Sequence, residues 1–213
     1  MNTQIKYVTL GLAETNAYLL GDESGQAILI DPVDEAELLV KSAAGAGWTI
    51  QLILATHAHF DHVLASKKLK ELTGAPFYIH HEAAQWLKNL PETGVRFTGT
   101  AFPEAAVPDR LLTTETETIE LGAFRLETIY TAGHAPGHLA FYLRDHGVLF
   151  SGDSLFAGTI GRTDLPGSDH DLLIRLIREN LLTLPDETQV LPGHGRPTTI
   201  GVERATNPFL ITA

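Results

Sequence analysis

The stretch His57-Ala58-His59-Phe60-Asp61-His62 gathers four potential metal ligands into six residues. Side chains of an extended segment alternate between faces, so His57 and His59 fall on the same side of the chain and can share one metal. Asp61 and His62 then open a helix. That turn lets a carboxylate and a third imidazole address a neighbouring position about 3.5–4 Å away, the separation of paired catalytic metals. A His-rich surface loop with Asp61 as a helix cap is the alternative reading. Recurrence weighs against it: ligand-type residues follow a glycine again at Gly133-His134, Gly152-Asp153 and Gly193-His194. His57, Asp153 and His194 each come within a few residues of an apolar strand, so loops at strand ends can converge on one pocket.

The 213 residues are enough for one substantial core, and no Pro-, Gly- or Ser-rich stretch separates two folding units, so residues 1–213 read as a single domain. With 44% hydrophobic and 19% charged residues the composition is that of a water-soluble globular chain. No run approaches the ~18 apolar residues of a spanning helix, so no membrane is expected. The start, Met1-Asn2-Thr3-Gln4-Ile5-Lys6, lacks the basic head and apolar middle of a signal peptide, and a cytoplasmic location is expected. A formal charge of −11 repels polyanions and argues against nucleic acid as a partner. The absence of cysteine excludes disulfides and thiolate zinc sites, leaving His, Asp and Glu as metal ligands.

Apolar alternation predicts strands near residues 5–10, 17–20, 27–30, 52–55, 77–79, 118–121, 124–129, 140–143, 148–150 and 189–191. A helix capped by Asp34 is expected to end before Gly45 or Gly47, and a second to run from Asp61 to Thr73, with Ala65, Leu69 and Leu72 inward and Gly74 as its stop. A third is expected over Glu82–Leu90. A fourth spans Asp169–Leu184, with Leu173, Leu176, Ile177 and Leu181 inward. Many strands with helices in both halves suggest two sheets packed face to face with helices on the outer faces.

His57-Ala58-His59-Phe60-Asp61-His62 resembles the HxHxDH signature of the metallo-β-lactamase-fold hydrolases, and His134, Asp153 and His194 match that superfamily's remaining ligands in order. The resemblance implies an αββα sandwich of two mixed sheets and two divalent metal ions. One metal would be held by His57, His59 and His134 and the other by Asp61, His62 and His194, with Asp153 bridging. Asp61 and Asp153 are then the candidate catalytic carboxylates around the shared hydroxide. Imidazole and carboxylate suit zinc, iron or manganese.

Within the superfamily, Gly152-Asp153-Ser154-Leu155-Phe156-Ala157-Gly158, Gly161-Arg162-Thr163-Asp164 and the ending Glu203-Arg204-Ala205-Thr206-Asn207-Pro208-Phe209-Leu210 are similar to short members of the glyoxalase II group, the hydroxyacylglutathione hydrolases. Asp153 argues against antibiotic hydrolysis, since β-lactamases of the family usually carry Cys or Ser there. Full-length glyoxalase II has a C-terminal helical domain, whereas this chain ends 19 residues after His194. The resemblance implies hydrolysis of a small-molecule thioester such as S-2-hydroxyacylglutathione. A mononuclear iron persulfide dioxygenase and a lactonase of the same fold stay open as alternatives.

Arg162 aligns with a basic residue that holds the glutathione carboxylate in the family, although Thr163 or Asp164 replaces the aromatic contact expected after it. Its alternative role is to brace the loop through Asp164 or a carbonyl. Asp31, in Leu29-Ile30-Asp31-Pro32, is expected to support the ligands or the turn rather than bind metal. His138 is expected to be structural, His80-His81 a solvated or capping pair, and His146 and His170 turn residues. Trp48 and Trp86 are expected to pack.

Overall fold

The alternating apolar segments of the N-terminal half form one mixed sheet and those of the C-terminal half another. The computed structural model describes residues 3–211, so Met1 and Asn2 of the N-terminal stretch and the last two residues of the 1–213 assignment lie outside the described residues. These divide into two compact units, one running to Leu112 with Leu121–Ala123, the other comprising Thr113–Glu120 with Phe124 onward.

In the first unit β1 (Gln4–Leu10), β2 (Thr15–Gly21), β3 (Gln26–Ile30), β4 (Thr49–Leu54), β5 (Phe77–His80) and β6 (Arg110–Leu112) neighbour one another in chain order. The pairs from β1 to β3 are antiparallel and those from β3 to β6 parallel. Parallel neighbours need a crossover. Helix α1 (Ala36–Gly45) supplies the one from β3 to β4, α2 (Phe60–Val63) and α3 (Ser66–Thr73) that from β4 to β5, and α4 (His81–Ala84) and α5 (Leu90–Thr98) that from β5 to β6. Leu19, Leu29, Leu39, Ile53, Leu69 and Phe77 are wholly buried in this unit's core, each burial being worth roughly 1.5–3 kcal/mol. Trp48 packs on Gly21, where a Cβ would lie 2.1 Å from the indole. Trp86 is 37% exposed.

The second unit contains β7 (Thr118–Leu121) up to Glu120, β8 (Phe124–Tyr130), β9 (Leu139–Leu143), β10 (Val148–Gly152), a separate hairpin of β11 (Leu155–Phe156) and β12 (Thr159–Ile160), then α6 (His170–Leu176), β13 (Gln189–Pro192), β14 (Thr198–Thr199) and α7 (Ile200–Thr206). Its sheet order is β14-β13-β10-β9-β8-β7. β8, β9 and β10 form an antiparallel meander, while β10 and β13 are parallel. Leu173, Ile177 and Leu181 are fully buried and Leu176 is 8% exposed, the inward stripe expected of the fourth helix.

Some boundaries differ from expectation. Asp34 does not cap α1: its Oδ1 accepts the Glu35 N–H at 2.7 Å, and Glu35 takes a left-handed φ of 47° just ahead of Ala36. The second helix is broken, because the Ala65 N–H donates to the Pro32 carbonyl at 3.0 Å instead of to its own helix. Ala65 and Leu69 are buried, but Leu72 is 45% exposed. Gly74 terminates α3 in the left-handed region, as read. The third helix divides into α4, a 3₁₀ turn at Leu87–Asn89 and α5, since Pro91 in the first turn of α5 starts a helix rather than ending one. The fourth passes from α6 into a π-helical turn at Ile177–Leu181, and Asp169 caps it by accepting the Leu172 N–H at 3.0 Å.

Candidate functional site

In each unit a candidate ligand and a second ligand or its support sit just beyond the carboxyl ends of two neighbouring parallel strands, where side chains and backbone groups are left to turn outward. Asp31 follows β3 and His57 follows β4, while Asp153 follows β10 and His194 follows β13. His134 follows β8.

In the first unit Asp31 is buried and holds an unusual φ of 59°, a region Asp enters more readily than most residues. Its Oδ1 accepts the Thr56 N–H at 2.7 Å, and its Oδ2 accepts the Thr56 hydroxyl at 3.0 Å and the His62 Nδ1–H at 2.8 Å. The hydroxyl proton being spent on Asp31, Thr56 Oγ1 accepts from His57 Nδ1, 3.0 Å away. In their neutral forms both imidazoles therefore carry the proton on Nδ1 and leave the Nε2 lone pair for a metal. His57 Nε2 lies 3.0 Å from His59 Nδ1, and His62 Nε2 lies 3.4 Å from Asp61 Oδ2. Asp61 Oδ2 is oriented by the buried Thr15 hydroxyl, which donates to it at 2.7 Å. Phe60, Leu64, Phe102 and Leu12 line an apolar crevice beside Asp61.

In the second unit His134 Nδ1 donates to the Arg162 carbonyl at 2.8 Å, which in the neutral ring again puts the lone pair on Nε2. That nitrogen is 3.5 Å from Asp153 Oδ2, and His194 Nε2 is 3.3 Å from the same oxygen. The Nε2 lone pairs of neutral His62 and His134 thus face carboxylate oxygens, of Asp61 in the first unit and of Asp153 in the second. Such sets suit a divalent cation of intermediate softness, since imidazole nitrogen and carboxylate oxygen are ligands that zinc, iron and manganese accept. Two glycines let the backbone close around these ligands. A Cβ on Gly133 would lie 2.5 Å from Leu173, and one on Gly161 would lie 1.9 Å from the Asp153 carbonyl oxygen.

Arg162 is exposed and bidentate with Asp164: Nε and Nη2 donate to the two carboxylate oxygens at 2.7 Å each. This pairing is the bracing geometry weighed beside carboxylate binding, and it engages one edge of the guanidinium. The ion pair lowers the Asp164 carboxyl to about 2, with the Arg162 hydrogen bond as the main cause. Of the remaining histidines, His80 caps α4 by accepting the Glu82 N–H at 3.2 Å and is buried. His81 pairs with the Leu112 carbonyl at 3.3 Å, and His170 meets the Thr163 hydroxyl at 3.1 Å. Thr15 and Thr56 were not singled out from the sequence. For Thr56 the available signal was its place between a strand end and His57.

A family model described as the metallo-beta-lactamase superfamily matches residues 10–194. The chain belongs to the metallo-beta-lactamase superfamily. By family it is a metallo-hydrolase, and its two mixed sheets with their helices have the metallo-beta-lactamase fold. It is 40% identical to hydroxyacylglutathione hydrolase GloC of Haemophilus influenzae over 211 residues, covering 99% of this chain and 98% of that protein. Among solved structures it is similar to the BLEG-1 B3 metallo-beta-lactamase, at 40% identity and a TM-score of 0.92 over 98% of this chain and 100% of that one. It is also similar to TTHA1623 in a di-iron-bound form, at 41% identity and a TM-score of 0.86 over 96% and 100% of the two chains. Among the described residues no helix is long and apolar enough to cross a membrane.

Proposed function

We propose that residues 1–213 work as one metallo-beta-lactamase-fold domain that hydrolyses a small-molecule thioester of the S-2-hydroxyacylglutathione kind. The observation that carries the reading is the full set of competent ligands, His57, His59, Asp61, His62, His134, Asp153 and His194, with the His57, His62 and His134 rings oriented by Thr56, Asp31 and the Arg162 carbonyl. The full-length similarity to a hydroxyacylglutathione hydrolase supports the substrate class. His57, His59 and His134 would hold one divalent metal and Asp61, His62 and His194 a second, with Asp153 bridging, and zinc, iron and manganese all suit these donors. The chemistry such ions supply when bound is Lewis acidity, which brings the pKa of a water to about 7 and polarises a carbonyl.

The protein's own part is positional. Asp61, steadied by Thr15, and Asp153, set between His134 and His194, hold the catalytic carboxylates in place. A thiol with a pKa of roughly 8.5 departs as thiolate, so no side chain need act as general acid. Arg162 would grip the carboxylate at the far end of the thiol portion through the guanidinium edge that Asp164 does not use, two parallel hydrogen bonds being an arrangement an ammonium cannot reproduce.

Similarity to a B3 metallo-beta-lactamase favours a second reading, hydrolysis of a β-lactam amide, against which Asp153 argues. Asp153→Ala tests the primary reading. It is expected to lose bound metal and nearly all thioester turnover, and full metal content with normal turnover would refute it. Wild-type turnover of β-lactams with none of the thioester would transfer the assignment to the second reading.

A further inference from the structure

His138 is wholly buried and touches Asp153 through the backbone. The Asp153 N–H donates to His138 Nε2 at 3.0 Å, so that nitrogen carries no proton. The proton sits on Nδ1, which faces the Thr131 hydroxyl at 2.8 Å. The Thr131 N–H in turn donates to the His138 carbonyl at 2.9 Å, closing residues 131–138 into a loop with His134 inside it. The other end of the Gly152–Asp153 peptide is held as well: the Gly152 carbonyl accepts the Gly193 N–H at 2.9 Å, one residue before His194. A single peptide unit is thereby pinned at its N–H by the loop carrying His134 and at its carbonyl by the turn carrying His194. Gly152 enters that peptide with a φ of 51°, a conformation glycine adopts without the penalty a Cβ would bring.

We propose that His138 is a positioning residue that orients the Asp153 peptide and so sets how Asp153 Oδ2 stands against His134 Nε2 and His194 Nε2. It does this as a hydrogen-bond acceptor, not as a ligand. The inference rests on Asp153 and its neighbours being metal ligands, but not on the identity of the substrate. A packing role would require only the volume of the ring. A positioning role requires an acceptor at the place of Nε2.

Three variants of the full chain separate these roles: His138→Gln, whose side-chain oxygen can reach the place of Nε2; His138→Asn, which reaches only that of Nδ1; and His138→Leu, which fills volume without an acceptor. Zinc affinity is measured by chelator competition and metal content by elemental analysis, alongside the unfolding midpoint of metal-stripped protein. His138→Leu and His138→Asn are expected to bind zinc on the order of tenfold more weakly, the usual effect of losing a partner that orients a ligand, while His138→Gln recovers most of that affinity. If His138→Leu does not fold, the comparison of Gln with Asn carries the test. Equal zinc affinity in the Gln and Asn variants would overturn the proposal, as would variants that differ in unfolding midpoint but not in affinity. Thioester turnover is not a readout here, so failure of the proposed activity and failure of this inference are distinguishable.

Discussion

Asp31→Asn keeps the shape and the tolerance for positive φ while removing one acceptor, and its cost can be worked out from the hydrogen bonds. Both oxygens of Asp31 are committed, Oδ1 to the Thr56 N–H and Oδ2 to the Thr56 hydroxyl and His62 Nδ1. An amide must place its NH₂ at one of these positions. Placed at Oδ2, it meets the His62 Nδ1–H head-on and drives that proton to Nε2, the nitrogen offered to metal. Placed at Oδ1, it leaves a buried backbone N–H unpaired, and His62 then bonds to a neutral oxygen in place of a carboxylate. A buried donor left without a partner costs about 1–3 kcal/mol, and weakening the group that orients a ligand costs about 10- to 100-fold in metal affinity. Asp31→Asn should therefore lower the unfolding free energy of metal-stripped protein by about 1–3 kcal/mol and weaken zinc binding by about tenfold or more. Denaturant unfolding after chelation and chelator competition read the two effects separately. An Asn variant matching the parent in both would refute the tautomer argument.

Arg162→Ala should raise KM for a glutathione thioester about tenfold, with kcat much less affected, and leave a neutral thioester nearly unchanged. Equal loss on both substrates, or lower thermal stability without a KM effect, would assign Arg162 to bracing alone. Asp164 contributes whatever its ion pair adds only while ionised. With its pKa lowered from 3.8 to about 2, that contribution is complete above about pH 3.8 and fades as the pH falls through about 2. A carboxyl titration by NMR with a midpoint near 3.8 would contradict the pairing. Gly161→Ala should cost stability, since its Cβ would meet the Asp153 carbonyl oxygen at 1.9 Å, and overpacking of this kind costs about 1–3 kcal/mol or more. A thermal midpoint equal to the parent's would argue against the close approach. Glu203, buried in α7, accepts from the Gly158 N–H, the Thr198 hydroxyl and the Asn207 amide at 2.7–2.9 Å. Glu203→Gln should therefore destabilise by about 1–3 kcal/mol, and an unchanged unfolding midpoint in urea would count against that network.

The sequence signals that proved readable were local ones. Alternation over residues 124–129 and the stripe of Leu173, Leu176, Ile177 and Leu181 are written in a few neighbouring side chains, and β8 and the buried face of α6 and the π-helical turn after it follow them. The break between α2 and α3 was not readable, because it depends on the Pro32 carbonyl capturing the Ala65 N–H from another part of the chain. Short β6, β11, β12 and β14 escaped for a similar reason, since two or three residues carry too little periodicity to register. The candidate ligands stood out through spacing and residue type. Of their supports, Asp31 was legible at a strand end before Pro32 and His138 only as a structural residue, whereas Thr15 and Thr56 were not legible. Thr15 and His138 are ordinary residues until folding brings them to Asp61 and the Asp153 peptide, at separations of 46 and 15 residues, and Thr56, next to His57, becomes a support once its hydroxyl is engaged by Asp31, 25 residues away.

A hydrolytic centre of two metals that needs no redox change can be tested by reconstituting metal-stripped protein with zinc under anaerobic conditions. Bound zinc and turnover of S-lactoylglutathione are then measured on the same sample. Two zinc ions per chain and release of free thiol without oxygen are expected. Turnover that appears only with iron and a persulfide, with oxygen consumed in step, would contradict such a centre.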